Sequence, residues 1–221
     1  MSGKLGIIKV KGNEDDHLLF ILDNLLSPAQ CVALINRANT LQTNGYNRSW
    51  HPPGTGGRYM RVTMIDRKLA LFFEKMIMPI LPETYTDEEG NTYRLLYIND
   101  HFRFSRYRER GYFHKHCDGQ KEDNGRPELT GEYAAISLMT LNIPLNDEYG
   151  TDYELVGGST SFYHECNPDK LRVKVPAKAG RAALFWFNQY HTGDEVISGF
   201  KYLLRTDVMG VLISGPKFDN S

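Results

Sequence analysis

The sequence predicts a mainly β protein, with helices packed against a β-sandwich or barrel. Two stretches with helical periodicity lie before Pro82. From about residue 94 the texture changes to roughly eight short runs rich in β-branched and aromatic residues, separated by Gly, Pro and Asp clusters. At 221 residues the chain is long enough to bury one sizeable core on which both could pack.

In order, "LLFILDNLL" (18–26) reads as a buried strand running into a turn. Ser27 is placed to cap a helix, Pro28 suits its first turn, and Cys31, Leu34, Ile35 and Ala38 fall at helical spacing. Residues 43–60, "TNGYNRSWHPPGTGGRYM", break any periodicity with Gly, Asn and Pro and read as a long loop. "RVTMID" reads as a strand, and "DRKLALFFEKMIMPILP" as an amphipathic helix stopped by Pro82. The β-segments follow: "RLLYI", "FRFSRY", "YFHKHC", "AAISLMTLNI", "GSTSFYH", "RVKVPA", "AALFWF" and "KYLLRTDVMGVLI". "EDNGRPELTG" (122–131) reads as a mobile polar connection. The expected organisation is a single domain, 1–221, with an N-terminal strand, helices and lid loop in 17–92 and a β core in 93–215.

Composition excludes several classes. A formal net charge of −1 provides no long-range field for gathering nucleic acid or an anionic membrane. Three cysteines with no paired spacing argue against a disulfide framework. The first residues have no apolar segment before a small-residue cleavage site, and no apolar run reaches the length of a membrane span. A soluble, cytoplasmic protein is the expectation.

Side chains on a strand alternate between faces, so in "YFHKHCDG" His114, His116 and Asp118 share one face. A histidine and a carboxylate two apart can point at one ion, and His191, at the end of a strongly apolar strand, supplies a third ligand. Two histidines and one carboxylate suit ferrous iron and leave positions open for a co-substrate and dioxygen. Two neutral imidazoles and a carboxylate leave a net +1 on a divalent ion, which favours an anionic chelating co-substrate. The plain alternative for His116 and Asp118 is a solvated strand edge.

Four further features bear on that choice. Lys201, ten residues after His191, and Arg205, four further on, share a strand face. A buried cation there demands an anionic partner, which the far carboxylate of a dicarboxylate would supply. The alternative is a surface ion pair with Asp207. Tyr107, nine residues before His116, can reach the same carboxylate or simply pack in the core. "GGSTSF" (157–162) is a tight turn that aims Thr160 inward, or a plain hairpin. "VPAKAGRAALFWF" delivers His191 to the end of its strand.

In this order, Tyr107, His116-Cys117-Asp118, Gly157 to Phe162, Gly180 to Phe185, His191 and Lys201 resemble the iron(II)- and 2-oxoglutarate-dependent dioxygenases, prolyl 4-hydroxylase-like group. "FILDNLLSPAQCVALI" resembles the group's opening strand and helix, so the resemblance spans roughly 18 to 213. It departs where Arg110 stands three residues after the tyrosine, a position the group usually gives to glycine. The resemblance implies a double-stranded β-helix, the cupin-like jelly-roll. It implies Fe(2+) held by His116, Asp118 and His191, and 2-oxoglutarate anchored by Lys201 with help from Tyr107 and Thr160. Dioxygen would be the oxidant and ascorbate a reductant. Other dioxygenases use an arginine near the position of Arg205, so Lys201 and Arg205 compete for the anchoring role. A collagen hydroxylase would need entry to the secretory pathway, which leaves the substrate open: a peptide, a protein, an amino-acid-like group or a small molecule. A non-catalytic binding module on the same scaffold is the competing class, and a zinc hydrolase has no use for the buried lysine.

Around the site, strand alternation sends Arg103 to the face of Tyr107, as a candidate substrate contact. The 43–60 loop, with Tyr46, Arg48, Trp50, His51, Arg58 and Tyr59, has the composition of a lid, and Trp50 and the following Arg61 are candidate substrate contacts. His114 reads as exposed, His164 as a weak rival ligand and Cys117 as core. The Arg-aromatic mixture of "HFRFSRYRERGYFHKH" superficially suits nucleic acid, but net charge near zero argues against that partner.

Overall fold

The computed structural model describes residues 4–10, 18–41, 50–53, 56–123, 125–131, 133–148, 155–165 and 167–216. In chain order the elements are β1 (Gly6–Lys9), β2 (Leu19–Asp23), α1 (Pro28–Thr40), β3 (Met60–Ile65), α2 (Arg67–Ile77), β4 (Thr84–Thr86), β5 (Thr92–Ile98), β6 (His101–Arg108), β7 (Phe113–His116), β8 (Glu122–Asp123) and α3 (Pro127–Thr130). They continue with β9 (Ala135–Pro144), β10 (Val156–Gly157), β11 (Thr160–Tyr163), β12 (Leu171–Val175), β13 (Ala182–Trp186), β14 (His191–Gly193), β15 (Val196–Ser198) and β16 (Phe200–Ser214).

The large sheet runs β1-β2-β13-β9-β16-β5-β4, with β6 also paired to β16, β3 paired to β6, and β8 to β9. A four-stranded sheet, β12-β11-β14-β7, supplies the second layer. Every ladder is antiparallel, which gives the jelly-roll that the motifs imply. The β2 and β13 sequences show why their alternation is hard to see. Phe20, Leu22, Leu184 and Trp186 pack with α1 and α2 in the main cluster, while Leu19, Ile21, Ala183 and Phe185 pack against Phe162 and Val175 of the smaller sheet. Strands buried on both faces read as continuous apolar runs.

The helices obey their local signals. Ser27 accepts from the Gln30 amide while Gln30 reaches back to the Ser27 amide, a reciprocal cap, and Cys31, Leu34, Ile35 and Ala38 are the buried face of α1. Asp66 caps α2 through the Leu69 amide and also pairs with Arg37 of α1. The expected end of α2 at Pro82 is corrected: the α-helix stops at Ile77 and tightens into a 3-10 turn over Met78–Ile80. Pro79 has no N–H to donate back one turn, so it ends the regular ladder before Pro82 is reached.

Nor is 122–131 a loose connection. It contains β8 and α3, and it is tied down where Tyr97 donates to Asp123 at 2.9 Å and Arg126 pairs with Glu74 at 2.8 Å. The turn into β13 depends on Gly180, whose carbonyl accepts from the Leu25 and Leu26 amides. Its φ is +75°, and a Cβ there would lie 2.0 Å from the Leu26 carbonyl oxygen. Of the 43–60 loop, His51 bridges Arg61 and Gly57 bridges Phe113; Tyr46 and Arg48 lie outside the described residues. No helix among the described residues is long and apolar enough to cross a membrane.

Candidate metal centre

Ladder register brings the two histidines together. His191 on β14 is the direct partner of His116 on β7, and Phe162 of β11 flanks His191 on its other side. The imidazole centres are 4.2 Å apart. Each ring uses Nδ1 on a nearby backbone carbonyl: His116 on His114 at 2.7 Å, His191 on Gln189 at 2.9 Å. A carbonyl can only accept, so Nδ1 carries a proton, and in the neutral ring Nε2 is the nitrogen that keeps its lone pair.

Both Nε2 atoms turn toward Asp118, at 3.6 Å from Oδ1 for His116 and 3.9 Å from Oδ2 for His191. One ligand atom from each of the three residues lies within 4.8 Å of the others, the one such cluster among the described residues. His116 Nε2 is buried without a hydrogen-bond partner. Three electron-pair donors aimed at one point, one of them orphaned, fit a divalent cation.

Asp118 reaches the cluster by a route that strand alternation did not anticipate. β7 ends at His116, and Asp118 stands in the following segment, where its amide donates to the Phe187 carbonyl at 2.8 Å. Its carboxylate is held twice more: Thr140 Oγ1 donates to Oδ2 at 2.6 Å, and Arg205 donates to Oδ1 at 2.6 Å. Burial alone would raise the Asp118 pKa. The Arg205 charge, the close approach of His116 and His191 and the bond from Thr140 outweigh it, and the carboxyl sits well below its usual range. Burial pushes His191 down to about 4 against the pull of Asp118, so its imidazole is neutral at pH 7. The neutral ring is the form that can donate an electron pair to a metal.

The cavity beside this cluster is lined by Lys201, Leu203 and Arg205 from one face of β16, with Ser105 and Tyr107 of β6, Thr160 of β11 and Asn142 of β9. Lys201 is 2% exposed, and among the described residues no carboxylate lies within ion-pair distance of its ammonium. Burial lowers its pKa to about 8, offset in part by the more distant Asp194 and Glu148. Room for its stem comes from Gly158, with φ +77°, where a Cβ would stand 3.2 Å from Lys201 Cδ. Arg205 is already committed, reaching Asp118 at 2.6 Å, Thr140 at 3.3 Å and Asp207 at 3.4 Å.

Other expected contacts divide. Arg61 lines the cavity and donates to the Tyr59 hydroxyl at 2.5 Å. Arg103 does not line it: the guanidinium is buried against Asp207 at 2.9 Å. Trp50 does not line it either. It packs in the main core, donates to Asn39 at 3.3 Å and carries the Arg106 guanidinium over its ring at 4.7 Å. His114 is exposed, His164 is outside the ligand cluster, and Cys117 is half-buried, donating to the Asn188 carbonyl. Tyr59, expected only as a residue of the lid loop, stacks on Tyr107 at 4.8 Å in the cavity wall, and sequence reasoning missed Phe113, 3.8 Å from the His116 ring. It also missed Thr140 and Asn142. Their signal was present: two polar residues at strand spacing inside the apolar run "SLMTLNI".

No protein-family model and no curated protein matches the chain. Solved structures do. The viral collagen prolyl hydroxylase vCPH of Paramecium bursaria Chlorella virus-1, as its 2OG complex, is 16% identical over 90% of this chain and 100% of that one, with a TM-score of 0.54. A prolyl hydroxylase of Trichoplax adhaerens, in complex with a hypoxia inducible factor peptide fragment, is 14% identical over 89% and 84%, with a TM-score of 0.56. HygX of Streptomyces hygroscopicus, with nickel, 2-oxoglutarate and hygromycin B bound, is 13% identical over 94% and 88%, with a TM-score of 0.54. With its antiparallel two-layer topology, the chain therefore has the jelly-roll fold of the 2-oxoglutarate-dependent oxygenases.

Proposed function

We propose that this chain is an iron(II)- and 2-oxoglutarate-dependent dioxygenase that hydroxylates a peptide, protein or amino-acid-like substrate. The observation that carries the reading is the pairing of the His116–Asp118–His191 convergence with an unpaired, buried Lys201 in the same cavity. The buried ammonium is the discriminating part: it is costly unless an anion meets it, and a metal-only reading leaves it without a use. The similar structures named above include one with 2OG and one with nickel and 2-oxoglutarate, which supports the same pair of ligands here.

In this reading His116, Asp118 and His191 hold the metal. When bound, iron with 2-oxoglutarate and dioxygen supplies the oxidation, one oxygen atom entering a substrate C–H bond and the other succinate as carbon dioxide leaves. The chain's own work is positional. Lys201 binds the far carboxylate of the co-substrate, and Tyr107 and Thr160 flank that carboxylate. Arg205 and Thr140 hold Asp118 ionised and oriented, and the carbonyls of His114 and Gln189 fix the imidazole tautomers. Phe113, Phe162 and Phe185 pack around the histidine rings and keep water from the site.

A small molecule is the second substrate reading, favoured by the hygromycin B held by HygX. An open cleft beside Tyr59, formed in part by Pro52, Gly57, Arg58 and Met60, favours the peptide or protein instead. The activity test is direct. Mixed anaerobically with ferrous iron and 2-oxoglutarate, the protein should develop a weak visible charge-transfer band, and admitting air should yield succinate. No band and no succinate would leave a non-catalytic binding module as the function.

A further inference from the structure

A second cleft adjoins the metal cavity, and Tyr59 lines both. At about 550 Å³ it has room for several side chains. Its walls are unusual for a chain with a net charge of −1: Arg58, Arg106 and Arg108 stand around an apolar floor of Pro52, Met60 and Phe200. Among the described residues, none of these three guanidiniums has an ion-pair partner within 4.0 Å. Arg58 and Arg108 are exposed, Arg106 lies over the Trp50 ring, and Phe200 is 44% exposed.

The register explains how the charges gather. Phe200 pairs with Arg108 across β16 and β6, and Met60 pairs with Arg106 across β3 and β6. Arg106 and Arg108 are two apart on β6, so they project to the face opposite Ser105 and Tyr107, which line the metal cavity. One strand thus serves two compartments.

We infer that this cleft docks an acidic peptide, with carboxylates on the three guanidiniums and apolar side chains on Phe200, Met60 and Pro52. The inference rests on the proposed oxygenase function in making that peptide the substrate. A nucleic acid is the weaker occupant. Its phosphates need a basic stripe along the backbone track, whereas here Arg58, Arg106 and Arg108 ring a single cleft and are interrupted by apolar surface.

Fluorescence polarisation of labelled peptides on the full chain tests this without turnover. The probe is a peptide in which Glu alternates with Leu and Pro; its controls carry Gln or Lys in place of Glu, and a single-stranded oligonucleotide of equal charge is a fourth probe. The Glu peptide should bind at least about tenfold more tightly than the Gln peptide. The advantage should shrink as salt rises from about 0.01 to about 0.1 M, where the screening length falls from about 30 to about 10 Å. The double variant R58E/R108E, at two exposed positions, should reverse the preference and bind the Lys peptide. Equal binding of the Glu and Gln peptides, tighter binding of the oligonucleotide, or an unaltered preference in the variant would each overturn the inference. The charge-transfer band reports separately on the metal and co-substrate. A normal band with no peptide preference sinks the cleft inference alone, and selective peptide binding with no band sinks the oxygenase reading while the docking site stands.

Discussion

Lys201 and Tyr107 are register partners on β16 and β6, and the lysine ammonium lies 5.5 Å from the centre of the tyrosine ring. With no carboxylate in reach among the described residues, the ring face is the favourable electrostatic contact of a nearly fully buried cation. Such an arrangement costs stability, as the proposed role of receiving an anionic co-substrate would require. The folded-state pKa of Lys201, about 8, is below the ordinary lysine value of 10.5. Between those values the folded chain binds fewer protons than the unfolded one, so this group makes stability rise with pH across that window. Lys201→Met should remove that rise and stabilise the protein at pH 7 by an amount on the order of 3 kcal/mol. Denaturant midpoints of wild type and variant at pH 7 and pH 10, taken as a difference, cancel the buried thiols and phenols. A variant less stable at pH 7 would contradict the assignment of an unpaired charge.

The same substitution should weaken 2-oxoglutarate binding while leaving His116, Asp118 and His191 untouched. Losing one charge-assisted contact of this kind costs about 100-fold in affinity. Calorimetric titration of 2-oxoglutarate into metal-loaded protein would measure it. Full affinity in Lys201→Met would move the anchoring role elsewhere.

Metal binding itself should stabilise the fold, because the convergence of His116, Asp118 and His191 exists only in the folded chain. At a free metal concentration about 100 times the dissociation constant, the gain is about 2.7 kcal/mol. Manganese, which does not air-oxidise readily, should raise the melting temperature of wild type and leave that of His116→Ala unchanged. His116 is the better probe because it is half-buried, whereas His191 is packed between Phe162 and Phe185 and its loss would also open a cavity.

Thr140→Val tests the support of Asp118. The change keeps shape and removes the hydroxyl that donates to Oδ2 at 2.6 Å. Partners of this kind are worth 10- to 100-fold in metal affinity. A manganese titration should show that loss. Affinity equal to wild type would mean that Arg205 and the Phe187 carbonyl suffice to orient the carboxylate.

How much of this was legible in the sequence follows from the range of each interaction. His116, His191, Tyr107 and Lys201 lie at fixed distances along the chain, and strand alternation assigned Lys201 and Arg205 to one face correctly. Asp118 was legible as a partner of the two histidines although its route was not: β7 ends two residues before it, and a backbone bond to Phe187 of a distant segment sets its position. The Thr140 and Arg205 contacts with Asp118 depend on the β9–β16 register, which no local pattern encodes. Arg103 shares strand parity with Tyr107, but parity does not say how far along the strand the cavity extends, and Asp207 takes its charge before the cavity is reached. Trp50 looked like a gripping residue because it sits in a polar loop. Its indole instead completes the core beneath Arg106.

Gly180 was legible only as part of a motif; the structure explains its necessity. Gly180→Ala would force a Cβ against the Leu26 carbonyl in a backbone region that disfavours side chains. A loss of at least about 2 kcal/mol is expected, measured by denaturant unfolding. Because the turn sets the entry to β13, the variant should lose metal affinity only in proportion to unfolding, not in the folded population.

The sharpest comparison is between the two buried cations of β16. Lys201 and Arg205 lie four residues apart on one strand face and both line the cavity. Arg205 holds Asp118 and Asp207 together, and these same carboxylates raise its own pKa against the effect of burial. Its removal leaves two buried carboxylates without their shared guanidinium. Arg103 still meets Asp207, but the described residues offer Asp118 no second guanidinium. Breaking a buried pair in this way costs about 3–5 kcal/mol. Arg205→Met should therefore destabilise the metal-free protein, whereas Lys201→Met should stabilise it, although both replace a buried cation with the same apolar chain. Guanidinium midpoints at pH 7 with a chelator present decide the matter. Changes of the same sign in both variants would mean that the two charges share one environment, and the distinction between a paired cation and a waiting one would be lost.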